Sequence, residues 1–372
     1  MRILIASDKF KGSATGPEVA TSLSDGIREV IPGAVVDAAA VADGGEGTVD
    51  AAVASGFDPV TVSVTGPTGR PVDATFAVRG EQAVIEMAAA SGLDVLPGGE
   101  KAALEATSRG TGELIVAALD RGCTSIVLGV GGSACTDGGA GMLQALGVAL
   151  RTEERPVRPG GAGLTDLASV DITGLDPRLG GVSFVLAADV DNPLLGDRGA
   201  AAVFAPQKGA SADDVAVLEA GLARFAELLD PLPGVRASAD APGAGAAGGV
   251  GYAALAVFGA VREPGIDVVQ RLTGLADRIV GADLVITGEG SLDDQSLGGK
   301  TPLGVAAAAT AAGVPVIAVC GRSTLNADQA REAGFRRVYA LADIETDLAV
   351  SMAEAVRLLR GVGRTIAQDL LA

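Results

Sequence analysis

The sequence predicts an α/β protein in which a doubly wound, mainly parallel sheet is interrupted by a second, mixed α/β domain. Three observations carry that expectation. Short aliphatic runs recur along the chain, each followed by a glycine-rich polar loop and then by helical spacing, the rhythm of β-loop-α units. The length, 372 residues, suits two domains. A 48% apolar composition with only 3% aromatics and 54 glycines describes a core packed from small aliphatic side chains, not a disordered chain.

Taken in order, Arg2 to Ser7 (RILIAS) reads as a buried parallel strand ending in a polar loop. Pro17 then suits a helix start, and Val19, Ala20, Leu23, Ile27 and Val30 keep helical spacing until Pro32-Gly33 stops it. Val35 to Ala42 is a second strand, followed by a short helix near Thr48–Ala54. Val60–Val64, Val72–Val78 and Ala83–Met87, broken by turns such as Gly66-Pro67-Thr68-Gly69, read as an antiparallel meander. The β-loop-α rhythm returns at Thr124–Val130, Ala282–Thr287, Val314–Cys320 and Arg337–Leu341. Between about 145 and 260 the chain is irregular, with one clear helix. It opens on Ser211 and Asp214 in capping-box register and carries Val215, Leu218, Leu222 and Phe225 on one face. Ala241–Gly251 reads as either a flexible linker or a close-packed loop.

Six of these strands are expected in one Rossmann-like sheet, with ligand loops at their C-terminal ends. The expected division assigns 1–60, about 98–142 and 262–372 to that Rossmann-like domain. Residues 61–97 and 143–261 form the inserted mixed α/β domain, and the active site is expected in the cleft between the two.

Composition excludes several chemistries. There is no histidine, which removes Ser-His, Cys-His and His-metal mechanisms. A net charge of −18 disfavours nucleic acid and anionic membranes as partners. Cys123, Cys135 and Cys320 are far apart and form no CxxC, so a disulfide framework or structural zinc site is not expected. Leu303 to Cys320 is apolar but broken by Gly304, Gly313 and Pro315, and Asp8 and Lys9 precede any run long enough for a secretion signal. A cytoplasmic protein without a membrane span is the expectation; oligomeric state is open, a homodimer being the form entertained.

The candidate chemistry lies in five loops after strands. In Asp8-Lys9-Phe10-Lys11-Gly12-Ser13, two lysines and Ser13 beside a helix start suit an anion; the plainer reading is a solvated turn. In Asp43-Gly44-Gly45-Glu46-Gly47-Thr48, glycines permit close backbone approach, and Asp43 and Glu46 suit Mg²⁺ or a substrate hydroxyl. Gly129 to Gly141 fits GxGxxG poorly but suits a phosphate cradle through Gly132, Ser133 and Asp137, with Ser108 of the neighbouring Thr107–Glu113 segment adding donors. Asp189 and Asp191 alternate across Val190 and share a face in extended backbone, which suits Mg²⁺, and Lys208 follows beside Gly209. Gly288, Glu289, Asp293, Asp294 and Lys300 form a strand-loop-helix stretch consistent with a metal–phosphate ligand. It is not a P-loop, because the required first glycine is Asp294.

Together these loops resemble the bacterial type-1 glycerate kinase family over nearly the whole chain. The resemblance rests on Asp8–Ser13, Ala42–Thr48, Glu86–Leu93, Gly131–Ser133, Asp137–Gly141, Pro206–Ala210, Thr287–Gly290 and Gly299-Lys300. One departure is visible: the family commonly reads Ala-Thr-Asn between Ser133 and Asp137, where this chain has Ala134, Cys135 and Thr136. The resemblance implies ATP-dependent phosphorylation of D-glycerate with Mg²⁺, usually at the 2-hydroxyl, on a two-domain fold with a Rossmann-like half. Within that reading, Asp189 or Asp43 orients the hydroxyl, and Asp191 or Glu289 helps hold Mg²⁺. Lys9, Lys11, Lys208 and Lys300 then offset the charge of glycerate and phosphate. Two other classes fit parts of the sequence: a nicotinamide-dependent hydroxy-acid dehydrogenase, and a small-anion binding protein that consumes no ATP.

Overall fold

The structure is a computed structural model that describes residues 1–293 and 301–372. In chain order its strands are β1 (Arg2–Ser7), β2 (Val35–Ala38), β3 (Asp58–Thr65), β4 (Pro71–Arg79), β5 (Gln82–Glu86), β6 (Ser125–Gly129) and β7 (Ala149–Arg151). They continue with β8 (Ser169–Asp171), β9 (Ser183–Ala187), β10 (Val261–Glu263), β11 (Leu284–Leu292), β12 (Val316–Ser323) and β13 (Val338–Ala340). The chain divides into two compact units, Met1–Asp43 with Ile266–Ala372, and Gly44–Gly265. Among the described residues, no helix is long and apolar enough to cross a membrane.

The first unit is a five-stranded sheet in the order β13-β12-β11-β1-β2, parallel throughout. Side chains alternate across a strand, so β1 feeds two cores at once. Ile3 and Ile5 pack with Val19, Leu23 and Ile27 of the Gly16–Val30 helix and with Leu358, Leu359 and Val362 of the Ala355–Leu371 helix. Leu4 and Ala6 pack on the other face with Val305 and Ala309 of the Thr301–Ala311 helix and with Leu275 and Ile279. Burial on both faces explains why these strands are uninterrupted aliphatic runs. The Gly16–Val30 helix starts on a reciprocal cap: Glu18 Oε2 accepts the Thr15 N–H at 2.8 Å, and the Thr15 hydroxyl accepts the Glu18 N–H at 3.4 Å.

The second unit is built on a six-stranded mixed sheet, β10-β9-β6-β5-β4-β3. β3, β4 and β5 form the expected antiparallel meander, whereas β5, β6, β9 and β10 run parallel. The helix Ala212–Leu229 opens on the expected Ser211–Asp214 box, and Leu218, Leu222 and Phe225 are fully buried.

A parallel sheet in one unit and a mixed sheet in the other match the predicted fold class. Two expectations about its parts differ from the structure. The strand at Thr124–Val130 is expected in the first sheet, but β6 lies between β5 and β9 of the second. With it, 44–60 and 98–142 belong to the Gly44–Gly265 unit rather than to the Rossmann-like one. The physical reason is that an aliphatic run followed by glycines and a helix reports a strand covered on both faces. Both sheets contain such parallel strands, so the rhythm carries no information about which sheet a strand joins. The second strand is also shorter than expected, ending at Ala38.

Of the two readings of Ala241–Gly251, the structure takes the close-packed one. Gly248 is left-handed (φ +67°), its carbonyl accepts the Gly138 N–H at 2.9 Å, and a Cβ there would stand 2.2 Å from the Cys135 carbonyl oxygen. Only glycine admits that approach.

Candidate active site

In the first unit, parallel registration brings three strand ends together. Ser7 lies opposite Gly288, Gly288 opposite Val319, and further along Ser291 opposite Arg322. Beyond the last β1 pair, β11 and β12 run on, and the chain after β1 turns beside them. The result is a pocket of about 420 Å³ at the carboxyl edge of the sheet, the position at which open α/β sheets bind ligands. Its polar lining includes Asp8, Lys9, Lys11, Glu289, Asp293 and Arg322; Phe10, Leu341 and Met352 supply apolar wall.

Phe10 explains how the first loop is held. Its ring is buried in the core beneath the sheet, its N–H donates to the Ala14 carbonyl at 2.8 Å, and its carbonyl accepts the Ser13 N–H at 2.8 Å. With residue 10 pinned inward, Lys9, Lys11 and Ser13 are left on the pocket wall. Asp8 is fixed more firmly still. Its N–H donates to the Gly288 carbonyl at 2.9 Å, and its carboxylate accepts the Lys9 N–H at 2.7 Å and the Thr301 hydroxyl at 3.4 Å. Burial pushes its pKa up to about 6, the nearby Asp43 carboxylate pushes the same way, and the Lys9 N–H and ammonium and the Thr301 hydroxyl pull against them.

The second unit holds the other glycine loops. The Gly44–Thr48 turn lies directly on the loop after β6: a Cβ on Gly131 would stand 2.6 Å from the Cα of Gly45. The Thr48–Ala54 helix that follows has no capping side chain of its own; the buried Glu86 carboxylate accepts the Val49 N–H at 2.5 Å instead. The 131–141 loop is braced from inside. Asp137, 1% exposed, accepts the Ser108 N–H and hydroxyl (2.8 and 2.9 Å), the Gly139 N–H (3.1 Å) and the Gly141 N–H (3.2 Å). Lys208, also 1% exposed, donates from Nζ to the Cys135 carbonyl at 2.5 Å. Burial pushes the Lys208 pKa down, while Cys135 and Asp137 pull it up.

The residues predicted from sequence therefore sort into distinct places. Lys9, Lys11, Ser13 and Glu289 line the first unit's pocket, with Gly288 in the strand beneath them and Asp43 close enough to raise Asp8. Gly44, Gly45, Gly132 and Ser133 belong to the paired loops of the second unit, Gly132 exposed and Ser133 buried, with Glu46 exposed at the turn. Ser108, Asp137 and Lys208, expected to touch substrate or phosphate, are instead an interior brace: their polar atoms are spent on backbone and on each other, leaving no surface for a ligand. Asp189 is exposed and accepts the Gly265 N–H at 2.7 Å. Asp191, expected as a metal ligand, sits in an exposed pair with Arg198 at 3.3 Å, where the guanidinium already balances its charge. Lys300 lies outside the described residues. Sequence reasoning passes over Asp8 and Arg322. The signal for both is position, since each follows a buried aliphatic strand run directly into the polar edge.

Comparison with known proteins shows the family. The glycerate kinase family profile matches residues 3–371. The chain is similar to the glycerate kinase of Bacillus subtilis (strain 168), 44% identical over 100% of this chain and 98% of the relative. It is similar to the glycerate 2-kinase of Escherichia coli (strain K12), 44% identical over 92% of this chain and 90% of the relative. The crystal structure of a presumed glycerate kinase 2 from Salmonella typhimurium LT2 superposes with a TM-score of 0.84 at 44% identity, covering 100% of this chain and 98% of that one. The chain belongs to the glycerate kinase family, and is a kinase that phosphorylates an alcohol group.

Proposed function

We propose that the chain transfers the γ-phosphoryl group of ATP to the 2-hydroxyl of D-glycerate with the help of Mg²⁺. The observation that carries this reading is the pocket at the ends of β1, β11 and β12, where a carboxyl of raised pKa, two lysines and an arginine face one small volume. A short hydroxy acid and a phosphoryl donor need that combination: cations for the anionic groups and a carboxylate for the hydroxyl.

Asp8 accepts the hydrogen bond of the substrate hydroxyl and takes its proton as the new O–P bond forms and the bond to the ADP oxygen breaks. Asp43 raises the basicity of Asp8 by proximity. Lys9 and Lys11 offset the charge of the phosphoryl oxygens. The acids of the pocket are all oxygen donors, and among the described residues no cluster of three metal-binding side chains exists. That donor set fits Mg²⁺, which is usually held by one or two carboxylates together with substrate phosphates and water. Glu289, with Asp293 beside it, would hold the ion, which when bound spreads the negative charge of the transferring phosphate. Asp189 is the second candidate for the base, because its exposed carboxylate is oriented by the Gly265 N–H.

The test is ADP release from ATP in the presence of D-glycerate, with and without Mg²⁺, followed by phosphorus NMR of the product. Glycerate-dependent, Mg²⁺-dependent ADP release and a phosphate on carbon 2 support the reading. Binding of D-glycerate without ATP consumption would replace it, and a phosphate on carbon 3 would move the acceptor.

A further inference from the structure

Arg322 is a pocket cation whose orientation is set by a hydrogen bond. It follows Gly321 on β12, in register with Ser291 of β11, and its Nε donates to the Ser291 hydroxyl at 3.1 Å. Ser291 in turn donates to Asp293 Oδ2 at 3.3 Å, so the arginine is tethered through a hydroxyl to an acid on the same rim. Among the described residues, the two terminal guanidinium nitrogens have no hydrogen-bond partner, and the side chain is exposed and lines the pocket. With Nε engaged, what remains is the planar pair of donors that matches a carboxylate in a bidentate way, which an ammonium on a flexible stem does not.

From this placement we infer that Arg322 binds the carboxylate of the hydroxy acid and so determines which alcohols this kinase accepts. The inference rests on the reading above, because it shares the pocket with the group that receives the hydroxyl. The two functions of a 2-hydroxy acid sit on neighbouring carbons. A pocket that holds Asp8 on the β1 side and Arg322 on the β12 side, with β11 between, presents one partner for each. Lys9 and Lys11, on the loop after β1, are then left to the phosphate chain. Alcohols without a carboxylate would leave the guanidinium unpaired and be rejected.

The experiment measures D-glycerate binding to the ATP-free protein by calorimetry, and KM for both substrates, in the wild type, Arg322→Gln, Arg322→Lys and Ser291→Ala. Arg322 is exposed, so its variants should fold. The expected result for Arg322→Gln is about a 100-fold rise in Kd and KM for D-glycerate, the scale of a lost charge-assisted bidentate contact. KM for ATP should stay within about threefold. Arg322→Lys should recover only a small part, because it restores charge without the fork. Ser291→Ala should raise KM for D-glycerate by roughly tenfold while leaving the charge in place. A rise in KM for ATP alone would overturn the inference and place the guanidinium on phosphate. Equal rises for both substrates, or no change in either, would overturn it as well. If the wild type itself neither binds nor phosphorylates D-glycerate, the functional reading fails and takes this inference with it. If the wild type is active and the variants match it, only the inference fails.

Discussion

Ser108 donates both its backbone N–H and its hydroxyl to a single oxygen of Asp137, Oδ2, at 2.8 and 2.9 Å. The same hydroxyl accepts the Met142 N–H at 2.9 Å, so one serine ties the start of the Arg109–Leu119 helix to both sides of the glycine loop. Removing the carboxylate strands several buried donors at once. Asp137→Ala should therefore lower stability by about 3 kcal/mol or more, against about 1–2 kcal/mol for Ser108→Ala. The double variant should cost less than the two losses combined, because the residues share a bond. Urea titration of the three variants checks this.

The contact between Gly248 and the Cys135 carbonyl can be separated from the cost of left-handed backbone by a control within the same chain. Gly259 has nearly the same φ (+62°), but nothing lies within 4 Å of a Cβ built there. Gly259→Ala should cost about 1 kcal/mol, the ordinary left-handed penalty. Gly248→Ala adds a clash at 2.2 Å and should cost at least about 2 kcal/mol more. Thermal midpoints of the two variants give the comparison.

Asp8 makes a pH prediction whose sign follows from burial. Its pKa is raised from the ordinary carboxylate value to about 6, so the folded state holds the proton more tightly than the unfolded state does. Its favourable contribution is complete below about pH 4 and is lost as pH rises through about 6. Asp8→Asn should thus be more stable than the wild type at neutral pH, by up to about 3 kcal/mol, the gain shrinking towards pH 4. Turnover should respond in the opposite sense. Wild-type kcat/KM should climb with pH through about 6, and Asp8→Asn should lose about 10²-fold or more of kcat. Near-normal turnover in this variant would move the base to Asp43 or Asp189.

Lys9 and Lys11 are half-buried and exposed respectively, so neutralising them tests charge more than packing. Lys9→Gln and Lys11→Gln should each lower kcat/KM by roughly tenfold, and each should weaken its dependence on ionic strength. Stability should move by no more than about 0.5 kcal/mol. Initial rates across a salt series, alongside urea midpoints, distinguish the two effects.

The sequence makes strand ends visible and leaves side-chain direction hidden. The Arg2–Ser7 run, the meander and the Ser211–Asp214 cap are all local patterns, written in alternation, turn residues and capping chemistry, and the structure has them. Lys9 and Lys11 follow β1, and Glu289 lies in the stretch of β11 that runs past the last β1 pair; all three line the pocket at the sheet edge, where the sequence pattern puts polar residues. Lys208 and Asp137 look the same in sequence, next to glycines and near helix starts, yet they point inward. What decides their direction is a carbonyl and a serine distant in the chain, which no local pattern contains. The pairing of Asp191 with Arg198 is hidden for a similar reason, since Arg198 becomes its neighbour only once the turn folds. Arg322 is missed because a lone arginine after a strand acquires meaning only from its register with Ser291.

One parallel sheet drawn from both ends of the chain has a consequence for biosynthesis. When β1 and β2 leave the ribosome, β11, to which β1 is hydrogen-bonded, and the Ala355–Leu371 helix that covers Ile3 and Ile5 do not yet exist. The Gly44–Gly265 unit, by contrast, is continuous in the chain and can complete itself during translation. The early parallel pair of β1 and β2, covered on one face by the Gly16–Val30 helix, must wait for its central neighbour β11 and for the Ala355–Leu371 helix until more than two hundred further residues have been made, so the first unit closes after the second.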